Sequence, residues 1–158
     1  MTVCLLMLVS FFSSVPGSAS SQGRNAELEN DIRESVLRYM FEHEAQQQRA
    51  YTKVLFRSVE KKDPDDKFIA RFKEHIPRVK KGSESQITGD IGGVSDKKTG
   101  EGGTLYSLGE IKWINENEVD VFGSYYVASL FAGGCRYRVV RDGDKWIVKG
   151  CGGIIWRS

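Results

Sequence analysis

Few side chains in this sequence are spaced for chemistry, and the clearest set is Tyr39, His43 and Gln46. They recur three to four residues apart, the spacing that places side chains on one face of a helix. A histidine turned toward a sheet in this way is easily tuned as a general base, and a neighbouring tyrosine can donate a hydrogen bond to a developing oxyanion. The plainer reading is structural. His43 bonds a backbone carbonyl at the edge of the core, and Tyr39 packs its ring while its hydroxyl stays wet. We take the plainer reading, and no residue is assigned a catalytic role.

The other reactive pair is Cys135 and Cys151, which flank the stretch "VVRDGDKWIV". Its Gly143-Asp144 pair suits a two-residue turn with glycine first, so Asp142 faces Lys145, Val140 faces Ile147 and Val139 faces Val148. Tyr137 and Val139 then share a face with Trp146 and Val148. On this register Cys135 lies on the Tyr137 face and Cys151 on the opposite one. A disulfide between them needs a bulge that flips one cysteine, and "GCGG" (150–153) suits a bulge; a three-residue turn would also align them.

Other chemistry is sparse. The sequence has no Gly-x-Gly-x-x-Gly, no phosphate loop of the Walker type, no His-Glu-x-x-His, no Cys-x-x-Cys and no Gly-x-Ser-x-Gly. With two histidines in the chain, and two cysteines once Cys4 has left with the leader, no metal cage and no cofactor is expected. The formal charge of +2 is too small to imply nucleic acid, and Arg136 and Arg138 in "RYRVVR" read as the solvated outer face of a half-buried sheet.

The elements that must carry these residues are legible in part. The 158 residues suit one domain, and 40% hydrophobic with 28% charged residues is globular composition. Residues 25–47 read as a long amphipathic helix with Asn25 as N-cap, and Leu28, Ile32, Val36, Tyr39, Met40 and His43 form its apolar stripe. Residues 51–60 are a strand or an extended connection. Residues 63–75 read as a shorter helix, capped by Asp63 with Pro64 in its first turn and stopped by Pro77. The glycine-rich stretch 81–103 reads as a long flexible loop or a loose hairpin. From Thr104 onward the chain is a four-stranded meander, with turns at "NENE" (115–118), "AGG" (132–134) and "RDGDK" (141–145). Phe122, Tyr125 and Tyr126 make the second of these strands apolar on both faces. One face then takes the long helix and the other a loop, a partner or a second copy of the chain, as in a homodimer.

The N-terminus reads as an address. "VCLLMLVSFF" (3–12) is an apolar run followed by small residues at Gly17 and Ala19, which suits removal of residues 1–19 by a signal peptidase. The run is shorter than the roughly 20 residues of a membrane-spanning helix, so no transmembrane segment is expected in the mature chain, 20–158. Export to the periplasm or the medium places the two remaining cysteines in an oxidising compartment.

The segments "IRESVLRYMFEH", "IKWINENEVDVFGSYYVASL" and "YRVVRDGDKWIV" resemble an uncharacterised family of exported bacterial proteins with a cystatin-like or nuclear-transport-factor-like fold. The resemblance covers roughly residues 26–150. It implies an α+β fold in which a long N-terminal helix and a shorter helix pack on a curved four-stranded antiparallel meander that forms a conical pocket. It also implies Tyr39 and His43 on the helix and Tyr125 on the sheet as pocket-lining candidates. The expected function is that of an exported binding or interaction module for an unknown small ligand or an envelope protein. The alternative is a small lyase or isomerase using the pocket histidine and a tyrosine.

Overall fold

Helix α1 runs from Ser18 to His43 in the computed structural model, which describes residues 18–46 and 49–157. Between residues 24 and 43 the chain has neither glycine nor proline, and it is rich in Glu and Arg, residues that lose little side-chain freedom in a helix. Because the helix begins at Ser18, Asn25 lies inside it and caps nothing. The acids after it do not serve the helix end either. Lys67 pairs with Glu27 at 3.1 Å, and Arg71 reaches Asp31 at 2.7 Å, Glu34 at 2.9 Å and Glu27.

Those basic partners belong to or directly follow α2, Asp66–Ala70, which is only five residues long. Its N-cap is Asp65, whose side chain accepts from the Phe68 N–H at 2.7 Å, in place of the expected Asp63. Asp63 instead accepts from the Ser83 backbone N–H and hydroxyl.

The strands are β1 Val54–Val59, β2 Arg78–Lys81, β3 Ser85–Thr88, β4 Gly93–Asp96, β5 Gly103–Asn115, β6 Glu118–Ala128, β7 Phe131–Asp142 and β8 Lys145–Arg157. Six of them form one mixed sheet in the order β2-β1-β5-β6-β7-β8, with β1 parallel to both β2 and β5. Parallel neighbours need long crossovers. The segments 60–77 and 82–102 supply them. The rest of the sheet is antiparallel, one hairpin after another.

This overturns the expected fold class. Of the described residues 51% are strand and 22% helix, the sheet is six-stranded and mixed instead of four-stranded and antiparallel, and only one helix among them reaches seven residues. Of the two added strands, β1 falls within 51–60, where a strand or an extended connection was expected, and β2 follows the expected second helix. The "AGG" turn is displaced as well, because Ala132, Gly133 and Gly134 lie in β7 and the reversal falls between Ala128 and Phe131.

The core lies between α1, α2 and one face of the sheet. Ile32, Val36, Leu37, Met40 and Phe41 of α1 are buried against Leu55, Tyr106, Val121, Tyr137 and Val139, among others. The opposite face is covered at β1 by the stretch 81–103, which holds a 3-10 turn, Gly82–Glu84, and the β3–β4 hairpin. Val54 and Phe56 of β1 pack there with Val94, Leu105 and Tyr126, and the Tyr126 hydroxyl donates to Gly92 O at 3.0 Å. Buried on both faces, β1 reads as an unbroken apolar run at "VLF".

Asp96 fastens the hairpin. It is fully buried, its Oδ1 accepts from the backbone N–H of Lys98 at 2.8 Å and of Thr99 at 3.2 Å, and its Oδ2 pairs with Lys80 Nζ at 2.8 Å. The lysine holds this carboxyl at a pKa of about 2. A carboxyl depressed in the folded state contributes stability above its unfolded value of about 3.9, and that contribution disappears as pH falls toward 2. Denaturant midpoints measured from pH 5 to pH 2 should therefore drop more steeply for the wild type than for Asp96→Asn.

Candidate functional site

The two cysteines are joined: Cys135 and Cys151 form a disulfide with Cα atoms 5.8 Å apart. The β7–β8 turn is the two-residue one, with Asp142 opposite Lys145 and Gly143 at φ +60. Val139 then pairs with Val148 but Arg138 with Gly150, which leaves Lys149 as an extra residue. Gly150 takes φ +143 at this bulge, a conformation that glycine adopts freely. The extra residue turns Cys151 onto the Tyr137 face, where Cys135 lies.

None of the three pocket-lining candidates, Tyr39, His43 and Tyr125, lines either of the two hollows described below. His43 ends α1, is exposed, stacks on the Tyr39 ring at 4.0 Å and has its Nδ1 2.8 Å from Tyr39 O. Tyr39 is half-buried with its ring edge toward Tyr137, and Gln46 is exposed with its amide donating to Glu42 O. Tyr125 is half-buried against the core and lies over Gly133. The reason is a rotation of the helix. Leu37 and Phe41 take buried places, and the stripe through Tyr39 and His43 becomes its edge.

A cavity of about 240 Å³ opens beside that end of α1. Phe41, Leu55 and Tyr106 form its apolar wall, with Arg49, Thr52 and His75 among its polar groups. Phe41 holds the wall together, its ring 5.0 Å from both His75 and Tyr106 in edge-on contacts. Arg49 donates to Phe41 O at 3.0 Å and to Glu42 O, satisfying carbonyls at the end of α1. The Thr52 and Thr104 hydroxyls are 2.9 Å apart.

The protonation states here follow from the partners. His75 Nδ1 lies 2.9 Å from Pro77 O, and a carbonyl only accepts, so in the neutral ring Nδ1 carries the proton and Nε2 is an acceptor. Burial pushes the Tyr106 phenol well above its ordinary pKa, so it stays a donor at any physiological pH. Next to it the Tyr137 hydroxyl donates to Glu44 Oε1 at 2.9 Å, and burial followed by the Glu44 charge raises its pKa too. The cavity therefore offers aromatic walls, one ring acceptor and one phenol donor. That is the make-up of a small-molecule site.

A second hollow, of about 270 Å³, lies where α1, β1 and the start of α2 meet. Arg57 reaches it from β1. Its side chain is fully buried, its guanidinium carbon sits 3.8 Å above the centre of the Phe68 ring, and none of its three nitrogens has an acceptor. Burial, with the nearby Arg33 charge second, lowers its pKa to about 9, so it remains a cation at neutral pH. Among the described residues no group of three or more His, Cys, Asp or Glu is placed to hold a metal ion.

Sequence reasoning missed both hollows. His75 was read only as the end of a helix before Pro77, and Tyr106 only as a strand residue. Arg57 did leave a signal: in "VLFRSV" it alternates with Leu55 and Val59, which places a charge on the core-facing side of a strand.

No family model, curated protein or solved structure matches this chain. The functional reading therefore rests on these cavities. Among the described residues no helix is long and apolar enough to cross a membrane.

Proposed function

We propose that this chain is an exported binding module for a small, largely apolar ligand, seated in the cavity between the end of α1, β1 and β5. The observation that carries the reading is the presence of Tyr106 and His75 in that one cavity, a phenol donor and an imidazole on aromatic walls. The disulfide supports export, since such bonds persist in oxidising compartments. So does the leader-like apolar run, most of which lies in residues 1–17, outside the described residues; the expected cut after Ala19 falls in the first turn of α1. The binding reading is preferred to the catalytic alternative because His43 is exposed and its Nδ1 lies against a backbone carbonyl.

Native mass spectrometry of protein recovered from the exported fraction should find a small organic molecule that is released on unfolding. The same spectra should show a chain beginning near Ser20, and a chain retaining Met1 would remove export from the reading. Tyr106→Phe keeps the wall and deletes the donor, so affinity for the recovered molecule should fall about tenfold, some 1.4 kcal/mol. Equal affinity in Tyr106→Phe and in His75→Ala would place the ligand elsewhere.

A further inference from the structure

We propose that the hollow at Arg57 is a binding site for the carboxylate group of a small organic monoanion. A guanidinium presents five N–H donors in a planar fork that matches a carboxylate edge, and it remains charged at neutral pH. Here that fork is shut away from water with no acceptor on any nitrogen. Phe68 takes one face of the guanidinium, but a ring face does not accept the in-plane N–H groups. A second guanidinium lines the same hollow. Arg33 pairs through Nη2 with Glu29 at 3.0 Å and Glu60 at 3.3 Å, while its Nε is also buried without an acceptor.

The carboxylates around the hollow are already engaged. Glu60 is held by Arg33, Asp63 by Ser83, and Asp65 by the Phe68 N–H that it caps. Arg57 is the buried cation that lacks a direct counter-charge; Lys62, which also lines the hollow, is exposed and keeps its hydration. A single negative charge balances Arg57, whereas a phosphate dianion would bring surplus charge close to Glu60, Asp63 and Asp65. The remaining lining favours the same class, because Val59, Pro64 and Phe68 supply an apolar wall for a short hydrocarbon tail. The site is separate from the cavity at Tyr106, so its occupancy does not depend on the ligand proposed there.

The test uses the whole chain with acetate, butyrate and benzoate, each against chloride at equal ionic strength, and with inorganic phosphate as the competing class. Carboxylates should raise the melting temperature of the wild type and leave that of Arg57→Met unmoved, with butyrate or benzoate binding about tenfold or more tightly to the wild type. The 15N-labelled wild type provides a readout that needs no variant, since the Arg57 Nε–H resonance should shift on addition of butyrate. A resonance that ignores carboxylates overturns the proposal. So does one that moves only in Asp65→Asn, which would make Asp65 the partner. A larger effect of phosphate than of any carboxylate overturns the ligand class. An equal response of the wild type and Arg57→Met overturns the site.

Discussion

Replacing Cys135 by Ala together with Cys151 by Ser should destabilise the protein by about 3 kcal/mol. The bond closes a loop with a sequence separation of 16, and the chain entropy restored to the unfolded state by opening a loop of that length is about 3 kcal/mol. The bond also holds the bulged part of β8 against β7, where Lys149 has no partner and Gly150 and Gly153 both have positive φ. Denaturant titration should give the same midpoint for the double variant as for wild type kept in excess dithiothreitol, both well below the oxidised wild type. A double variant as stable as the oxidised protein would mean that the hairpin is held by its packing alone.

Gly103→Ala should cost roughly 2–3 kcal/mol, a value at the upper end for a single added methyl in a packed seam. A Cβ at this position would stand 2.7 Å from Val54 O and 2.5 Å from the Phe56 ring. Gly103 pairs directly with Val54 in the parallel β1–β5 ladder, so the oxygen it would strike is backbone and cannot turn aside. Gly109 in the same strand is the control, because a Cβ there meets nothing nearer than 3.6 Å and alanine should change the denaturation midpoint little. Equal effects at the two positions would show that β5 accommodates the methyl by shifting as a whole.

What was legible in the sequence was local. The β7–β8 register follows from Gly143-Asp144 and holds residue for residue from Asp142–Lys145 back to Val139–Val148, and the glycines around Cys151 marked where a bulge had to be. The long helix was legible from composition. Its buried face was legible in part: Ile32, Val36 and Met40 of the expected stripe are fully buried and Leu28 and Tyr39 pack on the core, but His43 is exposed, and only the position of the sheet and of α2 adds Leu37 and Phe41. The parallel strands were hidden for a similar reason. β2 is four residues, "RVKK", with no apolar alternation, and it becomes a strand only because β1 offers it an edge. The 81–103 stretch looked too polar and too rich in glycine to pack, yet the buried Asp96 carboxylate, the apolar Val94 and hydrogen bonds from Tyr126 to Gly92 O and from Ser129 N–H to Ile91 O seat its hairpin. The site residues that matter most come from segments far apart in sequence, His75 and Tyr106 to one cavity and Arg57 to the other, and no spacing rule links them.

The placement of β1 between β2 and β5 governs the order in which the molecule can assemble. Strands β5 to β8 meet neighbours supplied by adjacent hairpins, whereas β1 waits for partners that begin 24 and 49 positions later, counting from Val54 to Arg78 and to Gly103. Contacts that span long stretches of chain form late. The leading half of a chain emerging from its amino end therefore holds at most β1 and β2 of the six-stranded sheet, and the sheet closes once the last third has appeared. Under the export proposed above, that order leaves most of the sheet unmade while the chain is still extended.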